Sequence, residues 1–591
     1  LAADLATAGG TLTVTDPLRL GGSVLLDAAG GDLTLDAVTG NGFDLGLVSG
    51  GGSTRVTGAV DGVGTLALQA DDASSTGAVR FEDAVSATAL TTFARPHALA
   101  FTGATTRFTD PVTVRTTGTL TLGDGGDVLD FDAGLDASAP ATRLAGTVRS
   151  AGTDLVFGVL TLDGDGALTT GPGGGSLRLD GPVDGAFVLG LDAGAGDVAI
   201  AGPVGGSTTL DELAVTAAAE VTLGAIRADA LSLSGATGLL RTTGAIEVGG
   251  GGVALDATDV ALEATLTTTG GGAVTLDAAD ALTVDAPVSA GGDLLLDAGG
   301  TLTIAADLAS TGGALRLATD ARLGADVALA TGGGDLELDA VNGAFALGLD
   351  AGGGALVLGP VGATTPLAGL SVTGTGTTAL GGDLSTTGSG GIDLAGAGAV
   401  TLLSDVRLDA SVGDGGVTLA GADVDGAFRL ELDGGAGGVR LGRFGATTPL
   451  AALGAAGAIT LAGDGATTGA LRLTGPALVD ADLTLTGGTL RFDGALTGDG
   501  SRALGLAGPL VLDGPVTGLA SLAVDGPATV AADVTTTGLQ TWNGAVTLAG
   551  GDRTLRGGIV RLASVAGAGD ALTVAGALDL RGAATGLSAL T

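Results

Sequence analysis

The 591-residue chain contains no cysteine, methionine, tyrosine or lysine, and it has one tryptophan and one histidine. Without cysteine, neither a disulfide framework nor a thiolate metal site can form. Aromatic residues make up 2% of the chain, so a core built on large rings is excluded. No run of about 18 apolar residues is present that could cross a membrane as a helix. The core must therefore come from valine, leucine, isoleucine and alanine.

The residues that are abundant exclude further classes of protein. The 115 glycines do not follow a collagen triplet. The formal net charge of −40 would suit a disordered chain, but a mean hydropathy of +0.53 does not. The same charge disfavours nucleic acid as a partner. Uniform composition without linkers favours one continuous repeat array over residues 1–591. Because the chain begins at Leu1 rather than methionine, we expect it to be a segment of a longer precursor.

A short, regular period runs through the centre of the chain. Between Gly251 and Gly359, a glycine pair is followed six times by an apolar-x-Leu segment, with the leucine at 255, 276, 296, 317, 338 and 358. Inside each period the apolar residues alternate with a spacing of two, which is typical of strands. Constant spacing argues against a sandwich of hairpins. The sequence predicts an all-β fold, a right-handed parallel β-helix (β-solenoid) with coils of about 20–21 residues.

A longer repeat overlies the coils. The segment Val341–Phe345 recurs as Val424–Phe428, and a third copy is Val183–Phe187. The spacing between the first two of these segments is close to four coils, and we call this unit the four-coil repeat. We infer that the chain arose by duplication of a multi-coil unit.

The stretch from about 75 to 135 departs from the pattern. It holds five of the 12 phenylalanines: Phe81, Phe93, Phe101, Phe108 and Phe131. We interpret them as core residues of a wider or irregular set of coils, the alternative being a local binding surface.

Two segments best carry a resemblance to the filamentous-haemagglutinin-like, or β-strand-repeat, family of large bacterial exoproteins: Val534–Leu548, and Phe81–Phe93 with Gly118–Asp124 downstream of it. The resemblance implies secretion by a two-partner or autotransporter route and β-helical rods at the bacterial cell surface. It also implies that secretion and anchoring domains would lie outside this segment.

One column of aspartates is a candidate cation site. Asp256, Asp277 and Asp297 occupy the same position of consecutive coils, which would place neighbouring carboxylates about 5 Å apart. We interpret them as acceptors of hydrogen bonds from turn N–H groups. The alternative is weak Ca²⁺ binding, because like charges this close recruit cations.

A second acidic segment approaches a calcium motif. Asp124, Asp127 and Asp130 lie in a glycine-rich run that resembles the Gly-Gly-x-Gly-x-Asp nonapeptide of calcium-binding β-helices, although it does not repeat in tandem. Calcium is the one cofactor that the sequence suggests.

Catalytic constellations are poor. The sole histidine, His97, follows Arg95 and Pro96 and is interpreted as a solvated turn residue. Paired carboxylates, as in pectinase-type β-helices, are conceivable at Asp71 with Asp72 and at Asp127 with Asp130 and Asp132. In so acidic a chain such pairs arise by chance. The sequence therefore predicts no catalytic residue and no enzyme.

Together these observations predict a structural, non-catalytic secreted rod, part of a bacterial surface adhesin or extracellular filament. Its expected partners are further copies of itself or cell-surface glycans. Other functions stay open: a self-assembling fibre or cell-envelope layer bridged by cations, and a polysaccharide-active β-helix enzyme or lectin. Ice binding through the threonine triplets Thr267–Thr269 and Thr535–Thr537 is a further option.

Overall fold

The structure is a computed structural model that describes residues 1–69, 75–374 and 376–591. The suggested carboxylate pair Asp71 and Asp72 lies outside the described residues. The described residues form strands, turns and bends without a helix. The predicted all-β parallel solenoid is confirmed, with about 28 coils in all. The chain divides into two compact units, Leu1–Gly300 and Thr301–Thr591. A single continuous array and a right-handed winding stay predictions.

In the first unit, short strands stack in parallel from coil to coil. One coil contains the strands Val274–Val284 and Val288–Ala290, and the next coil begins with the strand Leu294–Ala298. Corresponding residues of successive coils are paired, as for Leu255 with Leu276 and for Leu276 with Leu296. The longest strands of this unit turn a corner within one element: Val60–Leu68, Thr119–Phe131, Ala141–Arg149, Leu160–Thr169, Ile226–Thr242, Ile246–Leu262 and Val274–Val284.

The second unit repeats this arrangement. Its coils are built from strands such as Leu336–Leu338, Val341–Asn342 and Ala346–Asp350. Leu336 pairs in parallel with Leu356, and Leu349 pairs with Val372. The longest strands here are Leu384–Asp393, Leu539–Leu548, Arg553–Ala566 and Ala571–Leu580.

The interior of each unit is a set of stacked aliphatic columns. Side chains alternate between buried and exposed along each strand, so that Leu294 and Leu296 point inward while Leu295 stays partly exposed. Because like residues stack at the strand spacing of about 4.8 Å, leucine, valine and isoleucine fill the lumen.

Four phenylalanines of the irregular stretch form a continuous stack in the core. The rings of Phe81 and Phe101 are 5.2 Å apart and nearly parallel, and Phe108 packs 5.7 Å from both Phe101 and Phe131. All four are at most 1% exposed, which confirms the core interpretation for them. For Phe93 that interpretation is wrong, because its side chain is half-buried outside the stack.

The four-coil repeat encodes a contact between successive coils. The Asn342 side-chain oxygen accepts the N–H groups of Thr364 and Thr365, and Asp425 does the same for Thr447 and Thr448. The glycine after the acceptor needs a positive φ, which is 139° at Gly343. The repeated Asn/Asp-Gly and Gly-Ala-Thr-Thr-Pro segments are therefore two halves of one interaction.

Hydroxyl groups close many corners from the inside. Buried serine and threonine side chains donate to glycine carbonyls a few positions later, at 2.5–3.3 Å, in Ser49, Thr170, Thr268, Ser310, Thr331, Thr467 and Thr536. Thr268 and Thr536 are the central residues of the two threonine triplets. Because both face inward, neither triplet presents the flat outer hydroxyl array that ice binding would need.

Candidate functional site

The predicted aspartate column exists. The register pairs Asp256 with Asp277 and Asp277 with Asp297 on consecutive coils of the first unit. Burial, together with the neighbouring charges of Asp256 and Asp297, raises the pKa of Asp277 above its ordinary value. The ionised carboxylates of Asp256, Asp277 and Asp297 therefore repel one another in the folded chain.

A different set of aspartates accepts backbone N–H groups from neighbouring coils. These carboxylates accept a backbone N–H of the following coil at 2.7–2.9 Å, as for Asp4 with Leu25, Asp32 with Ser53, Asp44 with Thr65, Asp307 with Ala328, Asp326 with Ala346 and Asp464 with Thr484. The sequence signal for this role was an Asp just before a strand. Within the described part of the chain, neither Asp256 nor Asp277 accepts such a bond.

The column alone cannot surround a calcium ion. Ca²⁺ takes six to eight oxygens, whereas these carboxylates lie in a line on one outer face. Among the described residues, no group of three His, Cys, Asp or Glu side chains is arranged to hold a metal ion. A cation at the column would need oxygens from elsewhere, so calcium binding there stays a prediction.

The aspartates of the second acidic segment have different partners. Asp127 is buried, and its carboxylate accepts the Asp124 N–H at 2.7 Å, which closes the glycine-rich turn. Both oxygens of Asp130 bind Arg149, at 2.7 and 3.1 Å. Asp132 binds Arg107. The structure therefore does not bring Asp124, Asp127 and Asp130 together around one centre, nor does it pair Asp127, Asp130 and Asp132 as acid and base.

The prediction for His97 is wrong. The side chain is fully buried rather than solvated, and neither ring nitrogen has a hydrogen-bond partner among the described residues. Burial lowers the pKa of His97 below its ordinary value, because the charged form loses its hydration. The backbone carbonyl of His97 accepts the hydroxyl of Thr116, 19 residues later in the chain, at 2.5 Å. The neighbouring proline and arginine suggested a turn in solvent, but the His97 side chain lies inside the coil.

Many arginines form ion pairs, most of them between coils. Examples are Arg55 with Glu82, Arg143 with Asp163, Arg227 with Glu247 and Arg241 with Glu263. The pKa values of Glu82 and Asp423 fall below the ordinary range because Arg55 and Arg443 bind them. Each such exposed pair contributes little to stability alone, because water screens the charges, but the set recurs along both units.

Asp277→Asn is expected to stabilise the first unit at pH 7. A raised pKa means that the carboxyl group favours folding below its ordinary pKa and loses that contribution as the pH rises through the raised value. Asparagine resembles the protonated carboxyl group. The variant should therefore melt at a higher temperature than the wild type at pH 7, and at the same temperature as the wild type at about pH 3. Asp339→Asn serves as the control, because Asp339 occupies the same position of its coil but has Ala318 and Gly359, not aspartates, at that position of the neighbouring coils. Equal melting of wild type and Asp277→Asn at pH 7 would contradict repulsion within the column.

These features define an all-β protein of the parallel β-solenoid class whose successive coils are linked by backbone, carboxylate and guanidinium contacts. Comparison of the chain with protein-family models, with curated proteins and with solved structures finds no match. Among the described residues there is no helix of the length and apolarity needed to span a membrane. The resemblance to filamentous-haemagglutinin-like proteins rests on the sequence segments and stays a prediction.

Proposed function

We propose that this chain is a structural, non-catalytic segment of a secreted bacterial surface protein, an adhesin or an extracellular filament. The observation that carries the proposal is the density of links between adjacent coils. Parallel backbone ladders, aspartate acceptors and arginine ion pairs each join one coil to the next in both units. Such a stack resists extension along its axis, because pulling must break several bonds per coil.

The high negative charge suits this role. Acidic outer faces keep long stacked chains soluble and discourage side-by-side association through like-charge repulsion. Aspartates at the corners supply this charge and, as acceptors, hold neighbouring coils together.

Surface labelling tests the location. Antibodies raised against the purified chain are expected to label intact cells of the source organism as strongly as permeabilised ones, with a cytosolic enzyme as the negative control. Labelling that needs permeabilisation would overturn the proposal. Prolonged incubation with acidic polysaccharides is expected to release no product, and product formation would favour the enzyme alternative instead.

A cation-bridged fibre is the second candidate, and the Asp256–Asp277 column favours it. Calcium shared between the columns of two molecules would gain the oxygens that one column lacks. Light scattering should then rise with calcium, fall on adding chelator, and respond less in Asp277→Asn. Light scattering that changes with neither calcium nor chelator would exclude this candidate.

A further inference from the structure

Every asparagine of the chain is followed by glycine. The sequence has three asparagines, in the dipeptides Asn41-Gly42, Asn342-Gly343 and Asn543-Gly544. In water, the backbone nitrogen after an asparagine can attack the side-chain amide, and glycine obstructs this attack least because it has no Cβ. The reaction, deamidation, needs neither an enzyme nor a cofactor. All three asparagines are therefore chemically able to react, and the fold determines which of them does.

Deamidation consumes one water and releases one ammonia. The glycine nitrogen loses its proton and forms a bond to the asparagine Cγ, and the Cγ–Nδ2 bond breaks as ammonia leaves with that proton. Water then opens the resulting succinimide ring at either carbonyl, which gives aspartate or isoaspartate. The asparagine side chain and the glycine N–H must leave their native hydrogen bonds before this reaction, so each such bond slows it.

The fold holds Asn342 and the glycine after it on one loop of the next coil. The Asn342 side-chain oxygen accepts the N–H groups of Thr364 and Thr365, at 2.9 and 3.3 Å. The Gly343 N–H donates to the Thr365 carbonyl at 3.0 Å. The side chain and the attacking nitrogen are therefore both bound, and reaction requires that these bonds open together.

Asn41 is held in a similar way. Its Nδ2 donates to the Leu20 carbonyl at 2.7 Å, and its Oδ1 accepts a guanidinium N–H of Arg19 at 3.5 Å. The N–H of Gly42 donates to the Gly62 carbonyl of the next coil at 2.7 Å. Here too, both reacting groups are bound in the folded chain.

The third asparagine, Asn543, lies at a corner where strand pairing is interrupted. The strand Leu539–Leu548 pairs with the preceding coil up to Trp542 and resumes this pairing only at Val546. Its register with the following coil also shifts at this corner. In the described part of the chain, Asn543 and Gly544 therefore have no register partner on either neighbouring coil, and residues outside a ladder open more readily than residues within it.

The Asn543 side chain has one hydrogen bond among the described residues. Its Nδ2 donates to a carboxylate oxygen of Asp525 on the preceding coil, at 2.7 Å. Both residues are exposed, so water competes for this bond. We propose that Asn543 is a site of spontaneous deamidation in the folded chain, whereas the fold protects Asn41 and Asn342.

Packing keeps the reactive dipeptide in this place. A Cβ on Gly544 would lie 2.2 Å from the carbonyl oxygen of Gly526, so only glycine fits there. A carboxylate at position 543 would face the carboxylate of Asp525, so this position needs a donor. The corner therefore requires both residues that make it reactive.

The consequence of reaction differs between the sites. At Asn342 an aspartate fits, because Asp184 and Asp425 each accept an equivalent pair of N–H groups in other copies of the repeat. At Asn543 the product loses its donor and sets two carboxylates on adjacent coils, and isoaspartate also lengthens the main chain beside the buried Trp542. Deamidation at this corner therefore loosens the coil that holds Trp542.

Peptide mapping of the full chain by mass spectrometry, with enzymatic methylation of isoaspartate, tests the proposal. In mildly alkaline buffer we expect Asn543 to react first, and Asn41 and Asn342 to react slower by about tenfold or more, because reaction there needs local opening. In denaturant the three sites should react at similar rates, so the ratio of native to denatured rate measures the protection at each site. The proposal is overturned if Asn543 stays intact in the native chain or reacts no faster there than the other two.

Two matched substitutions test the consequence. Asn543→Asp sets the product carboxylate beside Asp525 and should lower the melting temperature relative to freshly prepared wild type. Asn342→Asp makes the same chemical change at a site that fits it and should leave the melting temperature unchanged. Equal melting of the two variants would contradict the loosening of this corner.

Asn543→Gln separates deamidation from other effects of ageing. Glutamine keeps an amide donor but would have to close a larger, less favourable ring, so this variant should not react at position 543. Trp542 is the only tryptophan and is 1% exposed, so its fluorescence reports this corner. On ageing, the emission of the wild type should move to longer wavelength while that of Asn543→Gln stays constant. The same change in both proteins would count against the proposal.

Discussion

Phe101→Ala is expected to destabilise the first unit by about 3–5 kcal/mol, the usual effect of truncating a buried phenylalanine. Phe101 lies between Phe81 and Phe108, so alanine would leave a cavity and break two ring contacts at once. Because coils contact only their neighbours, the loss should be felt most in the coils that hold Phe81 to Phe131. Chemical denaturation gives the total effect, and amide hydrogen exchange locates it.

Phe93→Ala is the matched control for this prediction. The ring belongs to the same stretch but is half-buried outside the stack, so we expect a change well below that of Phe101→Ala. Similar losses for the two variants would show that the stack has no special part in holding these coils.

Gly465→Val is expected to destabilise the second unit strongly. Phe444 and Gly465 are paired on successive coils, and a Cβ at Gly465 would overlap the Phe444 ring. That ring is only 1% exposed, so it lies within the core. Overpacking of this kind costs about 1–3 kcal/mol and sometimes more. Thermal or chemical unfolding measures the loss.

A second substitution should rescue this variant. Phe444→Ala alone removes a large buried ring and is expected to destabilise, but combined with Gly465→Val it should recover part of the loss. The double-mutant cycle would then give a favourable coupling energy between the two sites. Additive losses would mean that the valine acts through something other than the ring.

The sequence was sufficient for the fold because its signal is repeated. Leu255, Leu276 and Leu296 recur once in each coil, and the structure stacks them in parallel register. Because the same weak pattern recurs in many coils, an error in reading one coil does not change the predicted fold. The Asp256–Asp277–Asp297 column follows from the same register and was predictable for the same reason.

Features that occur once were not predictable in this way. His97 was expected in solvent because of its neighbours, yet the corner places it inside the coil. The ion pair between Arg429 and Glu431 also occurs in one copy of the four-coil repeat and not in the preceding one. What could have been noticed is the replacement of Ala346 and Gly348 by Arg429 and Glu431 between two copies of the repeat.

The contact between Asn342 and the loop at Thr364 and Thr365 has a consequence for how this chain can grow. The acceptor and its donors lie on successive coils, separated by slightly more than one turn of the chain. A gene duplication of one coil would separate the two halves and leave a loop without its acceptor. A block of several coils carries both halves intact, as the second copy does at Asp425 and Thr447. The length of such a protein is therefore inherited in blocks of coils rather than in single ones.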